Sequence, residues 1–436
     1  MKSLSLPLYN FALALYTLGA NLIAPFNSKA KKWIDGRKNI WDELQQLPSH
    51  PHRIWFHCSS LGEYEQALPM IQALQEKKQS RETGNSSDSP LYWRGGGGEA
   101  IITFFSPSGY EIVKKKNPDA LVFYLPIDTK ENAARFLSIA QPRLAVFVRY
   151  DLWYYYLTTL QKENTPSILI SAVFREDTIF FQWYGSLFKS MLQCFTHIFV
   201  QDEHTKEVLL KNGFQNVTKA CDTRIDRVAS ILNEGKKFPL IETFKGEKKL
   251  FLVGSLEPKD EGVVLPLLNH PDFTKQFTCI IAPHNIDKNY VTKIQAALNR
   301  KSVLYSSLSP ALAKESNILI IDSIGILSRL YKYSDVAYIG GGFGEGLHNV
   351  LEPAVWGVPV FFGPKHHKFI EAAELVNRGG AFVVQDADEL KTKTFNLLTN
   401  KDAHQKAAQA ASDFIQENKG ATEIILNTIN SFPIGR

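Results

Sequence analysis

The sequence is poor in sulfur-containing residues, with four cysteines and three methionines in 436 residues. The cysteines stand far apart, so their spacing indicates neither a disulfide framework nor a metal site, and we expect small buried thiols in a reducing compartment. Runs of basic residues with interleaved aromatics are also missing, and the net charge is only +5. The sequence therefore indicates no nucleic-acid partner, whereas mild positive charge suits anionic ligands or an anionic membrane surface.

Charge is absent from residues 4–26, and a basic cluster begins at Lys29, Lys31 and Lys32. The length could cross a bilayer, but two prolines and two asparagines interrupt the stretch, and no small-residue cleavage site follows it. We predict a membrane-associated N-terminal helix, interfacial or spanning, with the basic cluster on the cytoplasmic side. The alternative is a soluble helix packed on the domain that follows.

Apolar strand-like runs alternate with helical segments through most of the chain, which is typical of an α/β protein with parallel sheets. The predicted strands of the first half are Ile54–His57, Ala100–Phe105, Ala120–Leu125, Leu144–Val148, Ser167–Val173 and His197–Val200. Those of the second half are Leu250–Val253, Phe277–Ala282, Ile318–Ile321, Val336–Ile339 and Val358–Phe361. The chain thus contains two α/β series, and its length also requires more than one domain.

The predicted domain organisation has three parts. Residues 1–35 form the membrane-associated segment, 36–235 an acceptor-binding α/β domain, and 236–436 a nucleotide-sugar-binding α/β domain, with the C-terminal helix free to pack back on the first domain. A charged linker is expected around Asn233–Lys248. The polar, glycine-ended stretch Gln79–Gly98 is predicted to be an exposed inserted loop.

The most informative motif is Gly340–Pro353, between the strand Val336–Ile339 and the predicted helix Glu352–Trp356. Glycines let the backbone approach a ligand, and free N–H groups at a helix start favour an anion. Glu352 is placed to accept hydrogen bonds from two ribose hydroxyls. The motif predicts a nucleotide site whose members are Gly341, Gly342, His348, Asn349 and Glu352. The alternative is a tight turn without a ligand.

A second polar turn, His57–Glu63, joins the first strand to a predicted helix over Glu63–Gln75. Gly62 permits the turn, and Glu63 falls in the first helical turn, where the helix dipole keeps a carboxylate ionised. An ionised carboxylate could act as general base toward a hydroxyl group. The alternative is that Glu63 only caps its helix.

Two further strands end in polar residues. Ser106, Ser108 and Gly109 follow the second strand, although helix capping by serine also explains them. Arg149 and Asp151 follow the strand Leu144–Val148, and such positions line a binding site more often than a core.

Other polar residues of the second series leave their roles open. Ser255 follows its first strand, and His284 follows the next, where it could bind phosphate or cap a helix. The Asp386-Ala387-Asp388 triplet resembles a metal-binding motif, but its position before a helical run favours an N-cap. We predict no metal site and no cofactor.

Taken together, the motifs occur in one order: His57–Pro69, Ser106–Gly109, Asp151–Trp153, Gly254–Ser255 with Asp260–Glu261, and Gly341–Val360. In that order they resemble the 3-deoxy-D-manno-octulosonic acid (Kdo) transferases of lipopolysaccharide assembly, over nearly the whole chain. The resemblance implies a GT-B fold, with two Rossmann-like domains facing a cleft.

The resemblance also implies an activity: inverting transfer of Kdo from CMP-Kdo to the 6′-hydroxyl of a lipid A precursor, at the cytoplasmic face of the inner membrane. Glu63 then matches the general base, with Asp151 as a second catalytic residue. Ser255, His284 and the glycine-rich motif match the donor site. The acceptor residues are Ser60, Gly62, Ser106, Ser108, Gly109 and Arg149.

Three departures from the family pattern stand out. Arg149-Tyr150-Asp151 replaces a usual Glu-x-Glu, Pro283-His284 replaces Arg-His, and Gln79–Gly98 is an unusual insertion. These departures leave the implied reaction class intact and concern acceptor choice and donor affinity. Two rival functions also stay open. One is a GT-B transferase or epimerase that uses a UDP-sugar, and the other is a membrane-bound scaffold with a vestigial nucleotide fold.

Overall fold

The computed structural model describes residues 2–82 and 99–432. The chain divides into two compact units, Met1–Asp226 with Gly420–Arg436 as unit 1, and Arg227–Lys419 as unit 2. Each unit is built on a seven-stranded sheet whose described strand pairs are parallel. Parallel strands need long crossovers, which helices provide here.

The sheet of unit 1 has the strand order β3-β2-β1-β4-β5-β6-β7. Its strands are β1 (Arg53–Cys58), β2 (Glu99–Phe104), β3 (Leu121–Tyr124), β4 (Leu144–Val148), β5 (Ser167–Ala172), β6 (His197–Val200) and β7 (Val217–Lys219). The order reverses between β1 and β4, which makes their carboxyl ends the topological switch point. Open α/β sheets bind ligands at that place.

Helices cover both faces of this sheet. They are α1 (Lys2–Ile23), α2 (Ser28–Lys38), α3 (Ile40–Gln45), α4 (Leu61–Glu82), α5 (Pro107–Lys116), α6 (Lys130–Ala140), α7 (Tyr154–Lys162), α8 (Ser186–Leu192), α9 (Glu203–Lys211) and α10 (Thr223–Ile231). Side chains alternate between the faces along each strand. Trp55 of β1 therefore packs into one core with Phe147, and the next residue, Phe56, packs into the other core with Val146.

Helix α1 is fixed to unit 1 along one side. The Tyr9 hydroxyl donates a 2.6 Å hydrogen bond to Asp128 Oδ2, and Asn10 Nδ2 donates one of 2.9 Å to the Tyr155 hydroxyl. Asp128 is buried and also accepts from the backbone N–H groups of Tyr155 and Tyr156. These contacts tie the N-terminal helix to the start of α7.

The sheet of unit 2 has the order β10-β11-β9-β8-β12-β13-β14. Its strands are β8 (Lys249–Leu256), β9 (Phe277–Pro283), β10 (Val303–Leu304), β11 (Ile318–Ile320), β12 (Val336–Ile339), β13 (Val360–Phe362) and β14 (Ala381–Val383). Here the order reverses between β8 and β12. Ser255, which directly precedes the last residue of β8, Leu256, and the glycine-rich motif after β12 therefore lie at the switch point, where ligand binding is expected.

The helices of unit 2 include several single turns. They are α11 (Pro239–Lys245), α12 (Glu261–Asn269), α13 (Phe273–Gln276), α14 (Lys288–Ala297), α15 (Pro310–Glu315), α16 (Leu327–Leu330), α17 (Leu351–Ala354), α18 (Ile370–Arg378), α19 (Ala387–Thr399) and α20 (Lys401–Asn418). After α20 the chain returns to unit 1 as α21 (Ala421–Ile429), whose Ile425 and Ile429 join the core that holds Met70 of α4.

The structure differs from the expected boundaries in three places. The division between units falls at Asp226–Arg227, inside α10, whereas the sequence placed it at 235/236. Gln79–Glu82, assigned to the inserted loop, continues α4, and the remainder, 83–98, lies outside the described residues. The expected linker contains α11. Strands β7, β10 and β14 were not predicted, although β11 and β13, which have three residues each, were.

Candidate active site

In unit 1, Glu63 lies in the first turn of α4, directly after β1. Its Oε2 accepts hydrogen bonds from Ser60 N (2.7 Å) and Ser60 Oγ (3.2 Å), so Glu63 does cap the start of its helix. Its Oε1 makes no hydrogen bond within residues 2–82 and 99–432. Burial raises the pKa of Glu63 and the charge of Asp151 raises it further, against the opposing effects of Ser60 and His57. The result is a carboxylate with one oxygen held and the other available to take a proton.

Asp151, which follows β4, belongs to a hydrogen-bonded cluster around the buried His57. Asp151 Oδ2 lies 2.8 Å from His57 Nε2 and accepts a 2.5 Å hydrogen bond from Ser59 Oγ. The indole N–H of Trp153 donates to the same His57 nitrogen at 2.9 Å, and His57 Nδ1 lies 2.8 Å from Thr103 Oγ1. Asp151 is therefore in direct contact with two residues of this cluster, Ser59 and His57.

The glycines and serines of this edge have different roles. A Cβ at Gly109 would lie 2.4 Å from the Phe104 ring, so this glycine lets α5 pack on β2. Ser106 caps α5 by accepting from Ser108 N, and its own N–H donates to Ser59 O at 2.9 Å. At Gly62 a Cβ would meet only Ser60 Oγ, at 3.9 Å. The turn does not require Gly62, contrary to the expectation from sequence, and the space beside it is open.

Arg149 does not take the place of a carboxylate near Glu63. Its Nε donates to Gln66 Oε1 at 3.1 Å, and Gln66 Nε2 lies 3.2 Å from both oxygens of the buried Asp222. Asp222 also accepts from Arg224 and Gln201. The cation is thus part of a polar network that joins α4 to the start of α10.

Strained backbone marks the same edge of the sheet. Arg149, Ser171 and Cys221 have φ angles of 63°, 52° and 64°, in the left-handed region that side chains rarely adopt. Each residue held in this conformation lowers the stability of the fold by about 1–3 kcal/mol, and such residues are frequent at functional sites. In unit 2 Ser255, at the end of β8, has a φ of 52°. A residue with a left-handed backbone conformation therefore lies at the switch point of each unit, Arg149 in unit 1 and Ser255 in unit 2.

In unit 2, packing within the protein accounts for much of the glycine-rich turn. A Cβ at Gly340 would lie 2.1 Å from Ser255 O, and one at Gly342 would lie 2.5 Å from Gly363 N. Gly341 has a φ of 90° and donates its N–H to Asp260 Oδ2 at 2.8 Å. Helix α17, which follows, is only four residues long. The N–H of Gly341 is thus engaged by Asp260 and is not offered to a ligand.

The side chains after the turn form the polar part of the site. Asn349 Oδ1 accepts from Leu351 N at 3.0 Å, and Asn349 Nδ2 donates to Glu352 Oε1 at 3.4 Å. Burial raises the pKa of Glu352, whereas the charges of Arg227 and Arg329 and the Asn349 hydrogen bond oppose the rise. Glu352 is therefore a partly buried acceptor held in place by its neighbour.

His284 and His348 lie together at the ends of β9 and the glycine turn. Their rings stack with centroids 4.2 Å apart and planes at 22°, and His348 Nε2 lies 2.8 Å from Glu257 Oε1. Burial lowers the pKa of His284, and the neighbouring His348 lowers it further. These three residues each offer a ligand atom within 4.8 Å of the others. Nearly parallel rings keep their in-plane lone pairs from converging, so a metal ion would need the side chains to rotate.

Sequence reasoning did not assign His57, Thr103, Trp153, Gln66 or Glu257 to the sites. His57 could have been assigned from the sequence, because it is the first residue of the motif that contains Glu63. Asp386 caps α19 through Glu389 N, as expected for an N-cap.

Residues 36–227 match the family described as 3-deoxy-D-manno-octulosonic-acid transferase (kdotransferase). A bifunctional glycosyltransferase/methyltransferase from Fusobacterium nucleatum is 26% identical over 424 residues, which cover 93% of this chain and 61% of that protein. The chain thus spans less than two thirds of this relative. A 3-deoxy-D-manno-octulosonic acid transferase from Aquifex aeolicus is 26% identical over 358 residues, 80% of this chain and 86% of the relative.

Among solved structures, a UDP-GlcNAc 2-epimerase from Neisseria meningitidis bound to UDP-GlcNAc superposes with a TM-score of 0.59 at 16% identity, covering 86% of this chain and 99% of that one. At that identity the likeness is one of fold alone, and with the two parallel sheets it confirms the α/β, GT-B-type fold class. The chain is accordingly similar in sequence to the Kdo transferases, through the family match over residues 36–227 and through relatives such as the one from Aquifex aeolicus.

Proposed function

We propose that this chain moves Kdo from CMP-Kdo onto the 6′-hydroxyl of a lipid A precursor (lipid IVA) with inversion at the anomeric carbon. The observation that carries the proposal is Glu63, a partly buried carboxylate with a raised pKa and one unbonded oxygen at the switch point of unit 1. It lies within the segment that matches the Kdo transferase family. Such a group suits proton removal from a hydroxyl near neutral pH.

In the proposed step, Glu63 takes the proton of the acceptor hydroxyl as the hydroxyl oxygen attacks the anomeric carbon of Kdo. The bond from that carbon to the phosphate oxygen breaks, and CMP leaves with the electron pair. Attack on the face opposite the leaving group inverts the configuration. Asp151 supports this chemistry because its negative charge raises the pKa of Glu63 and so strengthens the base.

Donor binding is assigned to unit 2. In this proposal Glu352 accepts hydrogen bonds from the ribose, and Asn349, which donates to Glu352 Oε1, orients it. His284 and His348 offer N–H groups to a phosphate near Ser255. Gly341 and Gly342 contribute by letting the strand ends approach closely rather than by donating from Gly341.

Helix α1 supports association with an anionic membrane. Its segment Ser5–Ile23 is long and apolar enough to cross a bilayer. Large apolar side chains recur along one side at intervals of three and four residues and are 50–67% exposed: Leu8, Phe11, Leu15, Leu18 and Leu22. Because Tyr9 and Asn10 hold the opposite side against unit 1, the arrangement favours a helix lying in the interface.

Exposed aromatics extend this surface. Trp183 and Tyr184, 78% and 55% exposed, come directly before α8, which packs against α1. Tryptophan and tyrosine prefer the membrane–water boundary. We assign the protein to the cytoplasmic face of the inner membrane, where CMP-Kdo and a lipid acceptor meet.

Vesicle co-sedimentation tests the membrane surface. Leu15→Glu on α1 should reduce pelleting with anionic vesicles at least several-fold, because the charge enters the lipid-facing side. The matched control is Ile424→Glu, an exposed apolar residue on α21. Equal pelleting of the two variants would remove α1 from the contact.

The UDP-sugar alternative is tested by calorimetry with CMP and UDP under the same conditions. Preferential binding of CMP is expected. Turnover of a UDP-sugar without Kdo transfer would replace the proposal with that alternative.

A further inference from the structure

Unit 1 contains a cavity of about 510 Å³ between α1, α2 and the turn from β2 to α5. Its walls are mostly apolar, with Tyr16, Gly19 and Ile23 from α1 and Trp33 from α2. Tyr16, Trp33 and Phe105 contact one another edge-on or tilted, with ring centroids 5.4–5.8 Å apart. This volume falls within the range of small-molecule pockets, about 300–1,000 Å³.

One end of the cavity adjoins the apolar face of α1. Ile23, which lines it, is 54% exposed, and Leu22 beside it is 67% exposed. The cavity therefore lies next to exposed apolar side chains at the end of α1.

The wall of the cavity also contacts the hydrogen-bonded cluster around His57. Phe105 of the cavity wall packs on Trp153, ring centroids 4.8 Å apart, and Trp153 donates to His57. Ser106, also in the wall, donates its N–H to Ser59 O, one residue before Ser60. The cavity thus joins the lipid-facing helix to the candidate base within one unit.

Polar groups at the cavity suit a phosphorylated head group. Lys29 and Asn27 line it together with Ser106. The lysine supplies a positive charge, and the amide and hydroxyl offer hydrogen bonds. An apolar cavity whose lining also includes a lysine, an amide and a hydroxyl matches an amphiphile that carries acyl chains and phosphate.

We propose that this cavity binds one acyl chain of the phosphorylated glycolipid acceptor and so holds the sugar hydroxyl near Glu63. The inference rests on the proposed function for the identity of the acceptor. It adds a chain-binding subsite within unit 1, which makes the number and length of acyl chains a determinant of substrate choice.

Gly19 allows the cavity to be filled without a clash. A Cβ at this position meets no atom within 4 Å, so Gly19→Ala fills a little of the space and Gly19→Trp fills much of it. Both replacements also remove a glycine from a helix, which does not disfavour folding. The matched control is Ala12→Trp, which adds the same side chain at an exposed position of α1.

The first measurement is transfer to a tetraacylated lipid A precursor and to its deacylated sugar. Gly19→Trp should raise KM for the acylated acceptor at least tenfold and leave the KM for the deacylated sugar unchanged. Gly19→Ala should fall between wild type and Gly19→Trp, and Ala12→Trp should match wild type. An unchanged KM for the acylated acceptor in Gly19→Trp would overturn the proposal.

The second measurement is independent of transfer. Lysophosphatidic acid, below the concentration at which it forms micelles, should bind the full chain and bind Gly19→Trp at least tenfold more weakly. If wild type transfers no Kdo but this difference holds, the proposed function fails and the subsite stands. Equal binding by wild type and Gly19→Trp, or no binding by wild type, would reject the subsite.

Discussion

Replacing Glu63 with glutamine probes the proposed base with little structural change. The glutamine oxygen can still accept from Ser60 N, so the cap of α4 is kept. Exchange of a charged for a neutral acceptor costs about 1 kcal/mol of unfolding free energy. Loss of a positioned general base lowers the rate by about 10²–10⁴-fold. The transfer rate of Glu63→Gln should therefore be far below that of the wild type, while the free energy of unfolding and the affinity for CMP change little.

The pH dependence of kcat/KM sharpens this test. Burial and Asp151 raise the pKa of Glu63. As the pH is lowered, Glu63 should therefore become protonated, and activity should fall, at a pH above the pKa of about 4.3 of an exposed glutamate. Asp151→Asn removes the neighbouring charge, so this limb should move to lower pH. Wild-type turnover by Glu63→Gln, or an acid limb that Asp151→Asn leaves in place, would refute the reasoning.

Three further predictions follow from the geometry. Gly62→Ala should keep or raise stability by up to about 1 kcal/mol in thermal unfolding, but raise the acceptor KM, because its Cβ enters space beside Glu63; an unchanged KM would place the acceptor elsewhere. Glu352→Ala should weaken CMP binding roughly ten- to a hundredfold in calorimetry, with exposed Glu345→Ala as control; equal affinities would remove Glu352 from the site. Burial raises the pKa of Asp128 to about 6, above the unfolded value of about 3.9, so the native state binds the proton more tightly. The unfolding free energy should thus fall by up to about 3 kcal/mol as pH rises from 4 to 7, and Asp128→Asn should flatten that dependence in denaturant titrations.

The sheets could be predicted because their information is local. Buried strands such as Leu144–Val148 appear in the sequence as apolar runs. The strand Val303–Leu304 has only two residues, too few for a pattern of its own, and it pairs with β11.

The sequence indicates where the candidate site residues lie in the fold, but it does not indicate their hydrogen-bond partners. Chain order alone places Glu63 and Glu352 after sheet strands. Partners such as Gln66 for Arg149 or Glu257 for His348 lie 83 and 91 residues away, so only folding brings them together. In the same way, Gly341 N–H donates to Asp260, which lies 81 residues earlier in the chain.

The central claim is that this chain transfers Kdo to a lipid acceptor with Glu63 as base. The most direct measurement is the mass of the products formed from CMP-Kdo and a tetraacylated lipid A precursor by wild type and by Glu63→Gln. We predict release of CMP and addition of Kdo to the acceptor by wild type, and at least a hundredfold less product with the variant. Absence of any Kdo-bearing lipid with wild type, under conditions where CMP binds, would contradict the account.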